Sequence, residues 1–422
     1  MLLISRIREN HEEIIERLKI RGLDMSEIIN NILTVDANAR RTRNEMESAQ
    51  AESNQLAAQI GKLIKEGKKD EAESIKNRTS ELKTSVKELS EKVQGLENQL
   101  KELLYTIPNT PNVSVPRGKS ADDNKEVKKV GEPKQLTQKL PHWELAAKYG
   151  IIDFDLGVKL TGAGFPVYRG KGARLQRALI QFFLDEGYKN GYTEVQPPLM
   201  VNEASGYGTG QLPDKEGQMY HVGVEDLYLI PTAEVPITNM YRDVILKEGD
   251  LPVKNCGYTP CFRREAGSYG AHVRGLNRLH QFDKVEIVQI VKPEDSYGVL
   301  EDMSDYVQSL LDKLGLHYRV LLLCGGDMGF TSAKTYDMEV WSPAQEMWLE
   351  CSSVSNFETF QTNRLKCRFK NEQGKTELAH SLNGSALALP RIVAAILETY
   401  QTENGIVVPE VLRSYTGFDI ID

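Results

Sequence analysis

Cys261-Phe262-Arg263-Arg264-Glu265-Ala266-Gly267-Ser268, then a glycine-bearing polar loop, then Gln281-Phe282-Asp283-Lys284-Val285-Glu286: the reading of this chain turns on these residues. The two ends read as strand-like pieces flanking a loop that carries His272, Arg274 and Arg278. An arginine offers a planar fork to a phosphate or carboxylate. A glutamate one or two residues later can accept from an adenine amino group, and Phe282 can offer a stacking face. That chemistry suits a bound ATP. The same residues would equally make a surface hairpin with ordinary ion pairs, so the stretch alone leaves both readings standing.

Around it, from His142 onward, the pattern is that of a mixed α/β enzyme. Residues 175–186 read as an amphipathic helix, and strand-like runs follow at 193–196, 227–231, 285–291, 318–323, 338–341 and 347–351. Irregular loops separate them, not regular helices, which argues against a doubly wound parallel sheet and for an antiparallel sheet with helices attached. Neither a Gly-x-x-x-x-Gly-Lys-Ser/Thr loop nor a Gly-x-Gly-x-x-Gly fingerprint occurs. A nucleotide would have to be held in another way.

The first 104 residues differ in kind. Met46, Ala49, Leu56, Ile60 and Leu63 fall in one register, with Ser53 in a polar slot. After Lys65-Glu66-Gly67-Lys68-Lys69-Asp70 the periodicity resumes at Ile75 and runs through Leu82, Val86, Leu89, Val93, Leu96, Leu100 and Leu103, with Thr79 in the one polar slot. A heptad seam kept over about four repeats in the second arm, with a first seam before the polar turn, predicts an antiparallel helical hairpin. Arms of roughly 30–35 residues would reach roughly 50 Å. Ahead of them, residues 3–21 read as a short amphipathic helix ending at Gly22, with Asp24 or Ser26 capping the next. Residues 105–140, with Pro108, Pro111, Pro116 and Pro133, read as a linker, and 141–422 as the second domain.

Bulk properties set outer limits. The chain has 422 residues, 40% hydrophobic and 27% charged, ample for two or three cored domains. Its net charge of −8 argues weakly against nucleic acid without excluding it, because screening confines fields to about 8–10 Å and local clusters decide. Arg40, Arg41 and Arg43 form one such cluster, with Lys62, Lys65, Lys68 and Lys69 toward the tip, although a solvated helical face would look the same. The five cysteines, Cys256, Cys261, Cys324, Cys351 and Cys367, read as reduced thiols. A zinc site from Cys256, Cys261, His272 or His280 would fit no standard spacing. No apolar run reaches the roughly 18 residues of a membrane span, and Met1-Leu2-Leu3-Ile4-Ser5-Arg6 does not resemble a signal peptide, so a cytosolic protein is expected.

Phe-Arg-x-Glu-Ala-Gly-Ser, a loop, then His-Gln-Phe-Asp-Lys-Val-Glu resembles motif 2 of the class II aminoacyl-tRNA synthetases, in its seryl, bacterial-type form. Gly191-Tyr192-Thr193-Glu194-Val195-Gln196-Pro197-Pro198 resembles motif 1, and Leu382-Asn383-Gly384-Ser385-Ala386-Leu387-Ala388-Leu389-Pro390-Arg391 resembles motif 3. Gly208-Thr209-Gly210-Gln211-Leu212-Pro213 and Thr232-Ala233-Glu234 are further seryl-type signatures, and the N-terminal hairpin stands where that family carries its tRNA-binding arm. The resemblance therefore runs the length of the chain. It departs at Leu389-Pro390, where the family has Val-Gly, a change that a helix start tolerates.

The resemblance implies an α+β protein, a helical arm plus a class II catalytic domain on an antiparallel sheet flanked by helices. It implies activation of serine with ATP and Mg²⁺ and transfer to tRNA(Ser), by a cytoplasmic homodimer paired through motif 1. Thr232, Ala233 and Glu234 are implied to hold the serine ammonium and backbone, and Arg263 to bridge serine carboxylate and α-phosphate. Arg264 and Glu265 would lie on ATP, with Glu265 toward adenine, and Phe282 and Arg391 on either side of that base. Glu350, Cys351, Ser352 and Ser353 would face the phosphates, with Glu350 and Ser353 on Mg²⁺. Glu286, ending its strand, and Ser385, opening the motif 3 helix, would read the serine hydroxyl. Arg40, Arg41, Arg43, His272, Arg274 and Arg278 would meet tRNA phosphates, which position without reading sequence. Two rivals remain in principle. An amino acid:carrier-protein ligase would lack the hairpin, and an inactive coiled-coil paralogue would have lost Arg263, Glu265, Glu350 or Arg391.

Overall fold

The computed structural model describes every residue except 137, 215–216 and 266–273. The chain forms two compact units, one comprising Leu2–Lys19 with Leu23–Pro108, the other Met1, Ile20–Gly22 and Asn109–Asp422.

In the first unit, helix α1 (Ile4–Leu18) packs on the start of α2 (Ser26–Lys65), and α2 returns through Gly67 into α3 (Lys69–Thr106). Gly67 has φ +77°, the left-handed turn a glycine permits at no steric cost. The arms are longer than the heptads suggested. α2 alone has 40 residues, roughly 60 Å of helix, because its first turns continue the register of the α1 contact. Leu82 and Val93 are buried, with Val86, Leu89, Leu96, Leu100 and Leu103 half-buried between exposed neighbours, as the seam requires. Ser53 and Thr79, the polar slots, are themselves buried, and the Thr79 hydroxyl donates to Ile75 O at 2.8 Å. Arg78 crosses the seam to Glu52 through Nε at 3.1 Å and Nη2 at 3.0 Å, and Arg43 pairs closely with Glu97.

The second unit is built on an eight-stranded sheet. Its strands, in chain order, are β1 (Lys125–Val130), β2 (Thr193–Glu194), β3 (Val253–Phe262), β4 (Gln281–Val291), β5 (Tyr318–Leu322), β6 (Lys334–Ser342), β7 (Met347–Asn356) and β8 (His380–Ala388). Their spatial order is β1-β5-β6-β7-β8-β4-β3-β2, every pairing antiparallel except β2 with β3. Helices α4 (His142–Lys148), α5 (Gly170–Lys189), α8 (Ser296–Leu314) and α10 (Leu389–Thr399) share one apolar core with Val285, Ile287, Met338, Val340, Cys351 and Leu382 of the sheet. Three shorter helices complete the site region: α6 (Glu203–Thr209), α7 (Glu234–Asn239) and α9 (Thr359–Leu365). Strand residues alternate faces. Lys284, Glu286, Asp337 and Glu339 therefore point away from the core, onto the face where the candidate site assembles. This is the expected α+β architecture.

Three local readings differ from the structure. Residues 125–130, inside the stretch read as a linker, form edge strand β1; its exposed, lysine-rich sequence has the charged character by which edges are protected and gives no apolar signal. Ser385 lies within strand β8 and does not open a helix; the helix begins at Leu389, and small residues buried on both faces hide the strand's alternation. Glu286 does not end its strand either, since β4 continues to Val291.

Candidate functional site

The site lies across β7, β8, β4 and β3, four neighbouring strands. Arg263 leaves the end of β3, its N–H donating to His280 O at 2.9 Å and its Nε to Pro231 O at 3.3 Å. Its guanidinium stands over the Phe282 ring, 5.2 Å from the centroid, because Phe282 is paired opposite Cys261 in the ladder. The Arg264 and Glu265 amides donate to Gln218, to the backbone carbonyl at 2.9 Å and to Oε1 at 3.1 Å. Glu265 is held at φ +48°, uncommon for a side chain with a Cβ, and its carboxylate makes a close ion pair with Arg278.

Thr232, Ala233 and Glu234, all buried, begin α7 beside this arginine. The Lys284 ammonium donates to the Thr232 hydroxyl at 2.8 Å and lies 2.5 Å from Glu286 Oε2. Asn383 Nδ2 donates to Glu286 Oε1 at 2.8 Å, and Gln361 Nε2 to Glu234 Oε1 at 2.6 Å. Burial pushes the Glu234 carboxyl up to about 7, the nearby Glu286 charge adds to this, and Gln361, Lys284 and Arg263 oppose it. Glu286 is likewise raised by burial, against Lys284, Arg263 and Asn383. Two buried carboxyls thus lie together, with Lys284 and Arg263 as the cations acting on both. Such a site favours a ligand that brings an ammonium and a hydrogen-bonding hydroxyl.

At the other end, Glu350 is half-exposed, and Arg391 Nη1 donates to its carbonyl at 2.5 Å while lying 3.6 Å from its Oε2. Glu350 is paired opposite Glu339, and Ser353 opposite Asp337. Asp337 Oδ1 has no hydrogen-bond partner, and its carboxyl is pushed well up by burial and then by the Glu350 charge. The Ser352 hydroxyl donates to Ser385 O at 2.6 Å, tying β7 to β8. Among the described residues no cluster of three or more His, Cys, Asp or Glu forms a ready metal cage. That donor set fits Mg²⁺, which is typically held by one or two carboxylates together with substrate phosphates. The unpartnered Asp337 oxygen and the half-exposed Glu350 carboxylate lie on neighbouring strands of this donor set. Cys351 does not point into the site. Its thiol is buried in the core, donates to Met338 O at 3.3 Å, and is raised by burial, so only its backbone can meet a ligand.

Arg274 and Arg278 are engaged within the unit, Arg274 over the Trp143 ring at 4.7 Å and Arg278 on Glu265. His272 lies outside the described residues. Arg40, Arg41 and Arg43 belong to the helical unit, where Arg40 pairs with Asp36 at 3.0 Å and Arg41 donates to Asn38 Oδ1 at 3.2 Å. All five cysteines are buried and unbridged.

Sequence reasoning missed Lys284, Asn383 and Gln361. Lys284 was legible, since residues two apart on a strand share a face and Glu286 was already singled out. Asn383 required the 380–388 strand to be recognised, and Gln361 approaches Glu234 only through the tertiary fold.

Known proteins resemble this chain over its whole length. Residues 1–111 match the family described as "Seryl-tRNA synthetase N-terminal domain", and 220–400 match "tRNA synthetase class II core domain (G, H, P, S and T)". Relatives named serine--tRNA ligase include one from Salinibacter ruber, 51% identical over 99% of this chain and 98% of its own. Another, from Akkermansia muciniphila, is 48% identical over 100% and 99%. The crystal structure of seryl-tRNA synthetase from Pyrococcus horikoshii complexed with ATP superposes with a TM-score of 0.93 at 34% identity, covering 100% of this chain and 99% of that one. With relatives of this identity matched from end to end, the chain belongs to the seryl-tRNA synthetase family.

Proposed function

We infer that this protein activates serine with ATP to seryl-adenylate and transfers the seryl group to tRNA(Ser). The observation that carries the reading is the end-to-end likeness to relatives named serine--tRNA ligase. The buried Glu234–Lys284–Glu286 arrangement supports the choice of serine.

Thr232, Ala233 and Glu234 receive the amino acid's ammonium and backbone, Glu234 giving up its proton as the ammonium arrives. Arg263 holds the carboxylate against the α-phosphate, so that the carboxylate oxygen bonds to phosphorus as the bond to pyrophosphate breaks. The charge spread over the phosphoryl oxygens is met by Arg263 and Arg391, fixed donors already in place. Glu265 accepts from the adenine amino group, Phe282 and Arg391 pack on the base, and Arg264 and the 350–353 backbone line the phosphates. Glu350 and Ser353 would hold Mg²⁺, which when bound would neutralise phosphate charge. No protein nucleophile is required. The tRNA 3′-terminal hydroxyl then attacks the adenylate carbonyl, and AMP leaves.

Residues 1–104 serve as the tRNA-binding domain, 105–140 join it to the body, and 141–422 form the catalytic domain. Arg40, Arg41, Arg43, Arg274 and Arg278 contact tRNA phosphates, and we extend this to His272. We also propose a homodimer through motif 1. The exposed Tyr188, Leu199 and Met200 beside edge strand β2 support it, since such apolar surface favours a two-fold partner. No helix among the described residues is long and apolar enough to cross a membrane, and we place the protein in the cytoplasm. The test is serine-dependent ATP–pyrophosphate exchange followed by charging of tRNA(Ser). Absence of exchange with serine overturns the reading.

A further inference from the structure

We propose that His142 is a positioning residue for ATP. Its imidazole transmits the placement of helix α10 to residues 274–278, the segment that leads back into β4. The proposal rests on the activation reading above, because it concerns how Arg391 and Glu265 are held.

His142 and Glu398 are both fully buried, and neither is among the groups proposed to touch substrate. Glu398 accepts from His142 Nδ1 at 2.8 Å, from the His142 amide at 3.0 Å, from Gln345 Nε2 at 3.1 Å, from the Ala344 amide at 3.3 Å and from the Ser342 hydroxyl. Burial would raise its carboxyl, but the donors from His142 and Ser342 hold it below the usual glutamate range. An ionised carboxylate only accepts, so Nδ1 carries the ring proton. On the other side of the ring, Nε2 lies 2.8 Å from the Leu276 amide, which only donates, so Nε2 is bare. The neighbours on both sides thus fix a single neutral tautomer. Its ring joins a buried anion on α10 to one backbone amide of the returning segment.

The adjacent residue is held by the same helix directly. Arg391 Nε donates to Asn277 O at 3.3 Å, and Asn277 Nδ2 donates to Gln345 Oε1 at 2.8 Å. Arg391 and Glu398 stand seven residues apart on α10, two turns along one face. One helix face therefore grips Leu276 through an imidazole and Asn277 through a guanidinium. Gly275 shows how closely the segment is seated. A Cβ there would fall 2.3 Å from His142 Nε2, and its φ is +67°. Arg274 caps the arrangement by lying on the Trp143 ring. Arg278, which follows Asn277, holds the Glu265 carboxylate. A shift of this segment would thus act first on Arg391 and Glu265, whereas Glu234, Lys284 and Glu286 are held by their own bonds to Gln361, Thr232 and Asn383.

His142→Asn and His142→Gln separate the two halves of the ring. An asparagine nitrogen can take the place of Nδ1 and keep the donor to Glu398, but it leaves the Leu276 amide without an acceptor. A glutamine oxygen can take the place of Nε2 and keep Leu276, but it weakens the link to Glu398. We expect H142N to raise KM for ATP about tenfold or more in serine-dependent pyrophosphate exchange, with KM for serine within about twofold of wild type, since small misplacements of positioning groups cost rate steeply. H142Q should stay within about threefold for both substrates, even where its thermal midpoint falls as far. Gly275→Ala pushes the segment away from the His142 ring by steric clash, so it should reproduce the ATP defect of H142N, with a loss of stability from the strained φ. Hydrogen exchange at the Leu276 amide gives a readout independent of activity. It should rise in H142N and G275A and not in H142Q. If wild-type protein shows no exchange reaction with serine, the activation reading fails, and the amide pattern still decides whether His142 holds the segment. Equal ATP defects in H142N and H142Q that follow their loss of stability overturn the proposal. So does an unchanged Leu276 amide in H142N and G275A.

Discussion

Glu286 and Ser385 stand directly opposite each other in the β4–β8 ladder, one strand supplying a buried carboxylate and the other a hydroxyl on the same face. A ligand hydroxyl placed between them could donate to the first and accept from the second. Serine differs from alanine by that group alone, so packing cannot separate the two amino acids. A site built to bind a hydroxyl can reject the analogue lacking it by about 10⁴–10⁵.

Glu286→Ala should therefore cut serine activation by orders of magnitude and alanine activation far less. Because alanine substitution also strands the buried Lys284 ammonium, Glu286→Gln is the cleaner variant, with the same sign and a smaller loss. Pyrophosphate exchange with each amino acid is the measurement. A serine-to-alanine preference unchanged in both variants would remove Glu286 from the role of hydroxyl reader.

Arg263→Ala should lower adenylate formation by about 10²–10³, the usual cost of one preplaced transition-state donor, with a much smaller effect on the thermal midpoint. Its side-chain partners are one long bond to the Pro231 carbonyl, at 3.3 Å, and the face of the half-buried Phe282 ring. Single-turnover adenylation reads this directly, and a loss under about fivefold contradicts the assignment.

Glu234 titrates at about 7 in the folded site against an ordinary value of 4.5. The folded chain keeps a proton there that the unfolded chain releases from about pH 4.5 upward. The stabilising contribution is full below pH 4.5 and is lost as pH rises through about 7. Serine binding runs the other way, because its ammonium favours the ionised carboxylate. Serine affinity should increase between pH 5.5 and about 7.5, with a proton released on binding, and Glu234→Gln should flatten the profile. Calorimetric titration in buffers of different ionisation enthalpy tests both points.

Removal of 40–103 should leave adenylate formation near wild type and abolish transfer to tRNA(Ser). The Arg43–Glu97 pair shows that the two cut ends lie side by side on neighbouring helices, so a short loop can rejoin them. Efficient charging by the folded, shortened protein would assign the arm another role.

The hairpin and the motif residues were legible because their signals are local: heptad spacing in 75–103, and a fixed order of arginine, glutamate and aromatic around 262–286. What escaped depends on pairing across the chain. β1 carries no apolar alternation because it lies at an edge, and β8 none because both of its faces are covered. Ser385 was assigned to the start of a helix and lies within a strand. Gln361 reaches Glu234 from a distant helix, and nothing around residue 361 announces it.

The two polar residues inside the hairpin seam have a further effect. Sliding α2 against α3 by one heptad would set Ser53 and Thr79 against different apolar neighbours and part Arg78 from Glu52. Misaligned versions of the hairpin are thereby penalised, as a polar residue in an apolar seam fixes register elsewhere. The hairpin thus behaves as a gauge of set length. A partner docked along it would meet its side chains at fixed distances from root to tip.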